Sequence, residues 1–236
     1  MSEKLYLIPG TMCDERLWAD LVAYLPPSVD LDYLSIPPDK DLDDIVEYYH
    51  ELFASTLAEQ DKINLVGFSL GGYIASYFAS IYPERVNKLF VISNSPTSLP
   101  LAEIKQRNET IDFINKYGYQ GISRHRITHL LDEESDSKRI VDVISAMDKS
   151  LGQKVLLSQY QNTSQRKNLS KELASAKFTI HFYCSERDPL VNAMWFSSLN
   201  SNNPDFSLIK TSGSGHMLPL EKPQELARYL KLWLAL

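Results

Sequence analysis

Three residues carry side chains that together can cleave an acyl bond: Ser69, Asp188 and His216. A serine hydroxyl attacks poorly until a base removes its proton, and that base needs a third group to orient it. Ser69 lies in Gly67-Phe68-Ser69-Leu70-Gly71, with glycine two residues before it and two after. A serine at the tip of a tight strand-to-helix turn needs this spacing, because strand and helix come too close for side chains at the flanking positions. The turn also puts Ser69 at a helix start, where free N–H groups favour a nearby negative oxygen. Asp188 lies in Cys184-Ser185-Glu186-Arg187-Asp188-Pro189-Leu190, and His216 in Gly213-Ser214-Gly215-His216-Met217-Leu218-Pro219. Each of these stretches directly follows a short apolar run.

Those runs read as strands at residues 5–8, 29–36, 63–66, 86–92, 178–183 and 206–209. Between them, apolar residues recur at helical spacing over 14–25, 41–59, 70–82, 191–199 and 223–236. Alternating strands and helices predict a parallel sheet covered on both faces. Parallel strands end on one common edge, so the loops carrying Ser69, Asp188 and His216 should converge there. The rhythm breaks over 96–176, where no strand is legible and Ile140, Val143, Ile144 and Met147 mark a helix. The expected division is a core formed by 1–95 and 177–236, interrupted by a helical lid at 96–176.

Several landmarks in order resemble the α/β-hydrolase fold superfamily, and within it the small lid-bearing serine carboxylesterases. They are the elbow Gly67-Phe68-Ser69-Leu70-Gly71-Gly72, then Tyr82-Pro83-Glu84-Arg85-Val86, Asp188-Pro189-Leu190-Val191, and Gly215-His216-Met217-Leu218-Pro219-Leu220-Glu221-Lys222-Pro223. The resemblance implies an α/β fold with a mostly parallel sheet, helices on both faces and an inserted helical lid. It casts Ser69, His216 and Asp188 as nucleophile, base and orienting acid, in the chain order of that architecture. It also implies an oxyanion hole built from the backbone N–H of Leu70 and a second donor in the loop after the first strand. The family usually has His-Gly there; this chain has Pro9-Gly10-Thr11-Met12, which points to Thr11, with Met12 the alternative. Each such donor supplies about 3 kcal/mol. Ser185 departs from the glycine more usual three residues before the acid.

The reaction implied is acyl transfer through Ser69 on a small to medium carboxylic ester or thioester, without metal or organic cofactor. An aminopeptidase, a C–C hydrolase, a hydroxynitrile lyase or an acyl-carrier-protein methyl esterase would use the same three residues. A non-catalytic binding protein on this fold is the alternative from another class. A haloalkane dehalogenase is disfavoured, because its elbow would carry Asp where this chain has Ser69.

The remaining features narrow the partners. A net charge of −6 and a pI near 5.4 argue against a nucleic-acid or anionic-membrane surface. Cys13 and Cys184 lie far apart without metal-type spacing, so neither a disulfide framework nor a zinc knuckle is expected. The N-terminus enters a strand too soon for a signal peptide, no run is long enough to span a membrane, and a cytosolic protein is expected. His125 and His129 stand four apart, but a solvated helix face is favoured over a metal site. Met12, Phe68 and Met217 are candidates to line an acyl pocket, with core packing the equal alternative. Residues 101–170 hold 11 Lys and Arg against 9 Asp and Glu. Arg124, Arg126, Lys138, Arg139, Arg166 and Lys167 could meet an anionic substrate or an acidic carrier protein, although a solvated surface accounts for them as well.

Overall fold

Side chains along the strands alternate between two apolar layers. In β1 (Glu3–Ile8), Leu5 and Leu7 face one layer while Tyr6 and Ile8 face the other. The same division separates Ile63 and Leu65 from Val66 and Phe68 in β3 (Ile63–Phe68), and Leu89 and Val91 from Phe90 and Ile92 in β4 (Val86–Ile92). Burial on both faces is what the near-continuous apolar runs require. This computed structural model describes residues 3–133, 135, 137–199 and 205–236. Met1 and Ser2, part of the N-terminal stretch read above, lie outside the described residues.

With β2 (Val29–Tyr33), β5 (Thr179–Ser185) and β6 (Phe206–Thr211), the strands form one sheet in the order β2-β1-β3-β4-β5-β6. Every pairing is parallel. The chain leaves β1 toward β2 and returns to β3 on the other side, so a crevice opens beyond the C-terminal ends of β1 and β3. One face is covered by α2 (Leu42–Thr56), α3 (Leu70–Ile81), α7 (Ser170–Ala174) and the 3₁₀ turn Ala193–Ser198. The other is covered by the 3₁₀ turn Glu15–Trp18, α1 (Ala19–Val22), α8 (Leu218–Glu221) and α9 (Pro223–Leu234). The six strands, their parallel pairing and the two helical layers are the α/β architecture expected from the sequence.

Some bounds differ from the sequence reading. The helix expected over 14–25 is a 3₁₀ turn followed by a four-residue α-helix. The Asp14 carboxylate caps that turn at the Arg16 N–H, and Pro26-Pro27 leaves no room for a longer helix. The strand expected to reach 36 stops at Tyr33, just ahead of Pro37-Pro38. The helix expected over 191–199 is the 3₁₀ turn, started by the Asn192 side chain accepting from the Met194 N–H.

Between β4 and β5 the described residues contribute helices only: α4 (Leu101–Tyr117), α5 (Arg124–Thr128), α6 (Ser137–Asn162) and α7. Gly152 (φ 72°, ψ −176°) breaks α6 in two. Before the break, Ile140, Val141, Ile144 and Met147 join the apolar layer of α9. Beyond it, Leu156 and Tyr160 form a small separate cluster with Ile114 and Met12. Among the described residues no helix is long and apolar enough to cross a membrane.

Candidate active site

The elbow is built by backbone contact. A Cβ on Gly67 would overlap the Gly71 carbonyl, and one on Gly71 would overlap the carbonyls of Ile8 and Pro9. The helix therefore starts hard against the end of β1. Ser69 adopts φ 52°, ψ −116°, a strained conformation that costs roughly 1–3 kcal/mol, held by its N–H donating to the Ile92 carbonyl at 2.9 Å. Leu70 and its successors begin α3 with N–H groups that have no acceptor one turn earlier.

Three separate loops on one sheet edge meet at this turn. His216 Nε2 lies 3.0 Å from Ser69 Oγ, and His216 Nδ1 lies 2.8 Å from Asp188 Oδ2. The Asp188 side chain is fully buried and the His216 side chain is 5 % exposed, whereas Ser69 is partly open. The second carboxylate oxygen of Asp188 accepts from the Leu190 N–H at 2.9 Å, so the carboxylate shapes its own loop as well as holding the imidazole.

The histidine loop is pinned from several sides, and most of these partners have no sequence signature. Ser93, at φ 50° just past β4, donates its hydroxyl to the His216 carbonyl at 2.8 Å. The His216 N–H donates to the Leu130 carbonyl at 2.8 Å, and Phe68 packs against the imidazole with ring centres 5.3 Å apart. Ser185 donates to the Gly215 carbonyl at 2.5 Å, joining the acid loop to the histidine loop. The departure from glycine at 185 thus adds a tie. Glu221 Oε1 accepts from the Asp132 N–H at 2.6 Å and the Ser135 hydroxyl at 2.5 Å. Burial holds the Glu221 carboxyl above the usual range, with the neighbouring Asp132 charge adding to the effect.

At the end of β1, Met12 stands at φ 55° and its N–H donates to the Gln159 side-chain oxygen at 3.0 Å. Gln159 is buried and comes from the second part of α6, 147 residues away. Thr11 N–H, one residue earlier, has no acceptor among the described residues. Of the other pocket candidates, Phe68 and Met217 pack in the α9-side layer, and Met12 packs with Ile114, Leu156 and Tyr160.

Cys13 and Cys184 are free and buried; burial pushes their thiols up to about 12 and about 11, far from a reactive thiolate. His125 and His129 are exposed with their Nε2 atoms 3.0 Å apart. No group of three or more His, Cys, Asp or Glu among the described residues is placed to hold a metal ion.

Comparison with known proteins agrees with this architecture. The chain is 22 % identical over 204 residues to methyl jasmonate esterase 1 of Vitis vinifera, covering 81 % of this chain and 78 % of that protein. It is 31 % identical over 94 residues to the pimeloyl-[acyl-carrier protein] methyl ester esterase of Photobacterium profundum, a stretch spanning 39 % of this chain and 37 % of that protein. In structure it resembles a thermophilic esterase from Thermogutta terrifontis at a TM-score of 0.85 and 17 % identity, covering 100 % of this chain and 90 % of that one. The sequence profile of the alpha/beta hydrolase fold matches residues 32–223, most of the chain. On that match the chain belongs to the alpha/beta hydrolase fold family.

Proposed function

We propose that the protein is a cytosolic serine hydrolase acting on a small to medium carboxylic ester or thioester through an acyl-enzyme on Ser69. The observation that carries this reading is the continuous path Ser69 Oγ–His216 Nε2 and His216 Nδ1–Asp188 Oδ2, at 3.0 and 2.8 Å, across three loops of one sheet edge. His216 takes the hydroxyl proton as Ser69 attacks the substrate carbonyl. Asp188 holds the imidazole with its Nδ1 proton inward and stabilises the imidazolium that forms. The resulting oxyanion is received by the N–H groups of Leu70 and Thr11. Met12 is assigned no such part, because its N–H is already donated to Gln159. His216 then protonates the leaving alcohol or thiol, and water, deprotonated by the same histidine, releases the acid.

In this reading residues 96–176 form a lid over the sheet edge, with Met12, Phe68 and Met217 flanking the acyl group. The test is hydrolysis of 4-nitrophenyl esters from acetate to palmitate by the wild type and Ser69→Ala. Turnover should fall on the order of 10⁵-fold or more in the variant. Equal turnover by both proteins would sink the assignment of Ser69.

A second reading has support of its own. The excess of Lys and Arg in 101–170 and the likeness to the Photobacterium profundum protein both favour a methyl ester carried on an acidic acyl-carrier protein. Carrier-bound and free methyl esters offered to the enzyme in competition separate this from a free small-molecule substrate.

A further inference from the structure

Two arginines of the helical segment have less negative charge near them than they need. Arg107, on α4, donates from Nε and Nη2 to Glu103 Oε1 at 3.1 and 2.7 Å, and its side chain is only 11 % exposed. Arg166, between α6 and α7, donates from Nε to the Thr163 carbonyl at 3.0 Å, and no carboxylate among the described residues lies within 4.0 Å of it. Its guanidinium is half-buried and close enough to Arg107 to be repelled by it; burial first, then that repulsion, lower its pKa to about 9. Glu103 therefore pairs with Arg107 and reaches Arg166 only through space. An uncompensated positive charge in such surroundings is unfavourable unless an anion completes it.

Packing links each arginine to residues of the candidate site. Arg166 lies over the Tyr73 ring, 5.0 Å from its centre, and the Tyr73 N–H donates to the carbonyl of Ser69. Arg107 lies over the Tyr160 ring, also at 5.0 Å, and Tyr160 packs with Met12 beside the β1 loop. Leu169 N–H donates to the Pro96 carbonyl, which ties the Arg166 stretch to the loop after β4 on the sheet edge that carries Ser69. Each ring offers its guanidinium a cation–π contact, and a planar fork of donors suits a carboxylate.

We propose that Arg166, with Arg107 beside it, forms a subsite for a carboxylate on the substrate, so that the preferred substrates are half-esters of dicarboxylic acids. The low exposure of Arg107 favours a small anion over the surface of an acidic protein. This inference rests on the hydrolase reading above for turnover, though not for binding.

The experiment compares 4-nitrophenyl hydrogen glutarate with 4-nitrophenyl pentanoate, a neutral ester of the same chain length. It uses wild type, Arg166→Met and Arg166→Lys. Wild type should prefer the half-ester. Arg166→Met should lower kcat/KM for it about 10- to 100-fold while changing the neutral ester less than about twofold. Arg166→Lys, which keeps the charge without the fork, should fall between them. Free glutarate should raise the melting temperature of wild type and not of Arg166→Met. Losses of equal size on both esters, or no loss on either, would overturn the subsite. Glutarate stabilisation without turnover of any ester would instead overturn the hydrolase reading and leave the subsite standing.

Discussion

Helices α3 and α4 are held in place in two different ways. Ten of the twelve residues of α3 are buried, and its first turn lies directly against the backbone of β1. In the seventeen residues of α4 only Ile114 is fully buried, while Leu101, Phe113 and Tyr117 stand well exposed. The first helix is positioned by main-chain contact that admits no larger side chain. The second is held by a few side chains and an ion pair. The hydroxyl-bearing turn is thus set by the fold itself, whereas α4 rests on contacts that can change one at a time.

The sharpest way to break that contrast is at the elbow. Gly71→Ala should destabilise the protein by more than about 4 kcal/mol in urea unfolding, because the added methyl group overlaps the Ile8 carbonyl. A well-folded, active variant would mean that β1 and α3 can separate. Next in size is the link between the two regions. Gln159→Ala leaves the Met12 N–H without its acceptor, and kcat should fall about tenfold with KM little changed, while the melting temperature drops by roughly 2–8 °C. A change confined to KM would show that Gln159 contacts substrate rather than holding the loop.

A smaller effect is expected from Glu221, whose buried carboxyl binds its proton more tightly in the folded chain than the ordinary value of 4.5 implies. The native state thus binds more protons than the unfolded state, and stability falls as pH rises through that window. Glu221→Gln keeps an acceptor for the Asp132 N–H and the Ser135 hydroxyl while removing this titration. Its stability between pH 4 and 7 should be flatter than that of wild type; parallel profiles would assign the slope to other groups. Smallest of all, Phe113→Ser on the exposed face of α4 should alter stability by no more than about 0.5 kcal/mol. A large loss would show that α4 is better supported than its exposure indicates.

The sequence was legible wherever a local steric rule decides. Gly67 and Gly71 stand where a Cβ has no space, β-branched and apolar runs lie on the sheet, and both Asp188 and His216 follow strand ends. It was silent where partners meet across long separations. Nothing near Gln159 announces the Met12 N–H, nothing in Ser93 announces the His216 carbonyl, and Leu130 contributes only backbone. Ser185 looked like a local departure because its partner, Gly215, is reached only after β5 and β6 pair. The sequence left the basic residues of 101–170 open between a solvated surface and contact with an anionic partner. In the fold they divide: Lys154 pairs with Asp39 in solvent, Arg126 donates to the Tyr160 hydroxyl, and Arg107 and Arg166 turn inward.

The break at Gly152 divides the labour of α6. The residues before it belong to the layer that includes Met217 and Leu218, beside the histidine loop; those after it reach Met12 and, through Tyr160, Arg107. A single unbroken helix would couple these surfaces rigidly, so that a substitution shifting one would tilt the other. With a joint between them, the distal portion can drift in sequence and adopt new shapes while the proximal portion keeps its seat. Modularity of this kind lets one hydrolytic core be refitted to different substrates without being rebuilt.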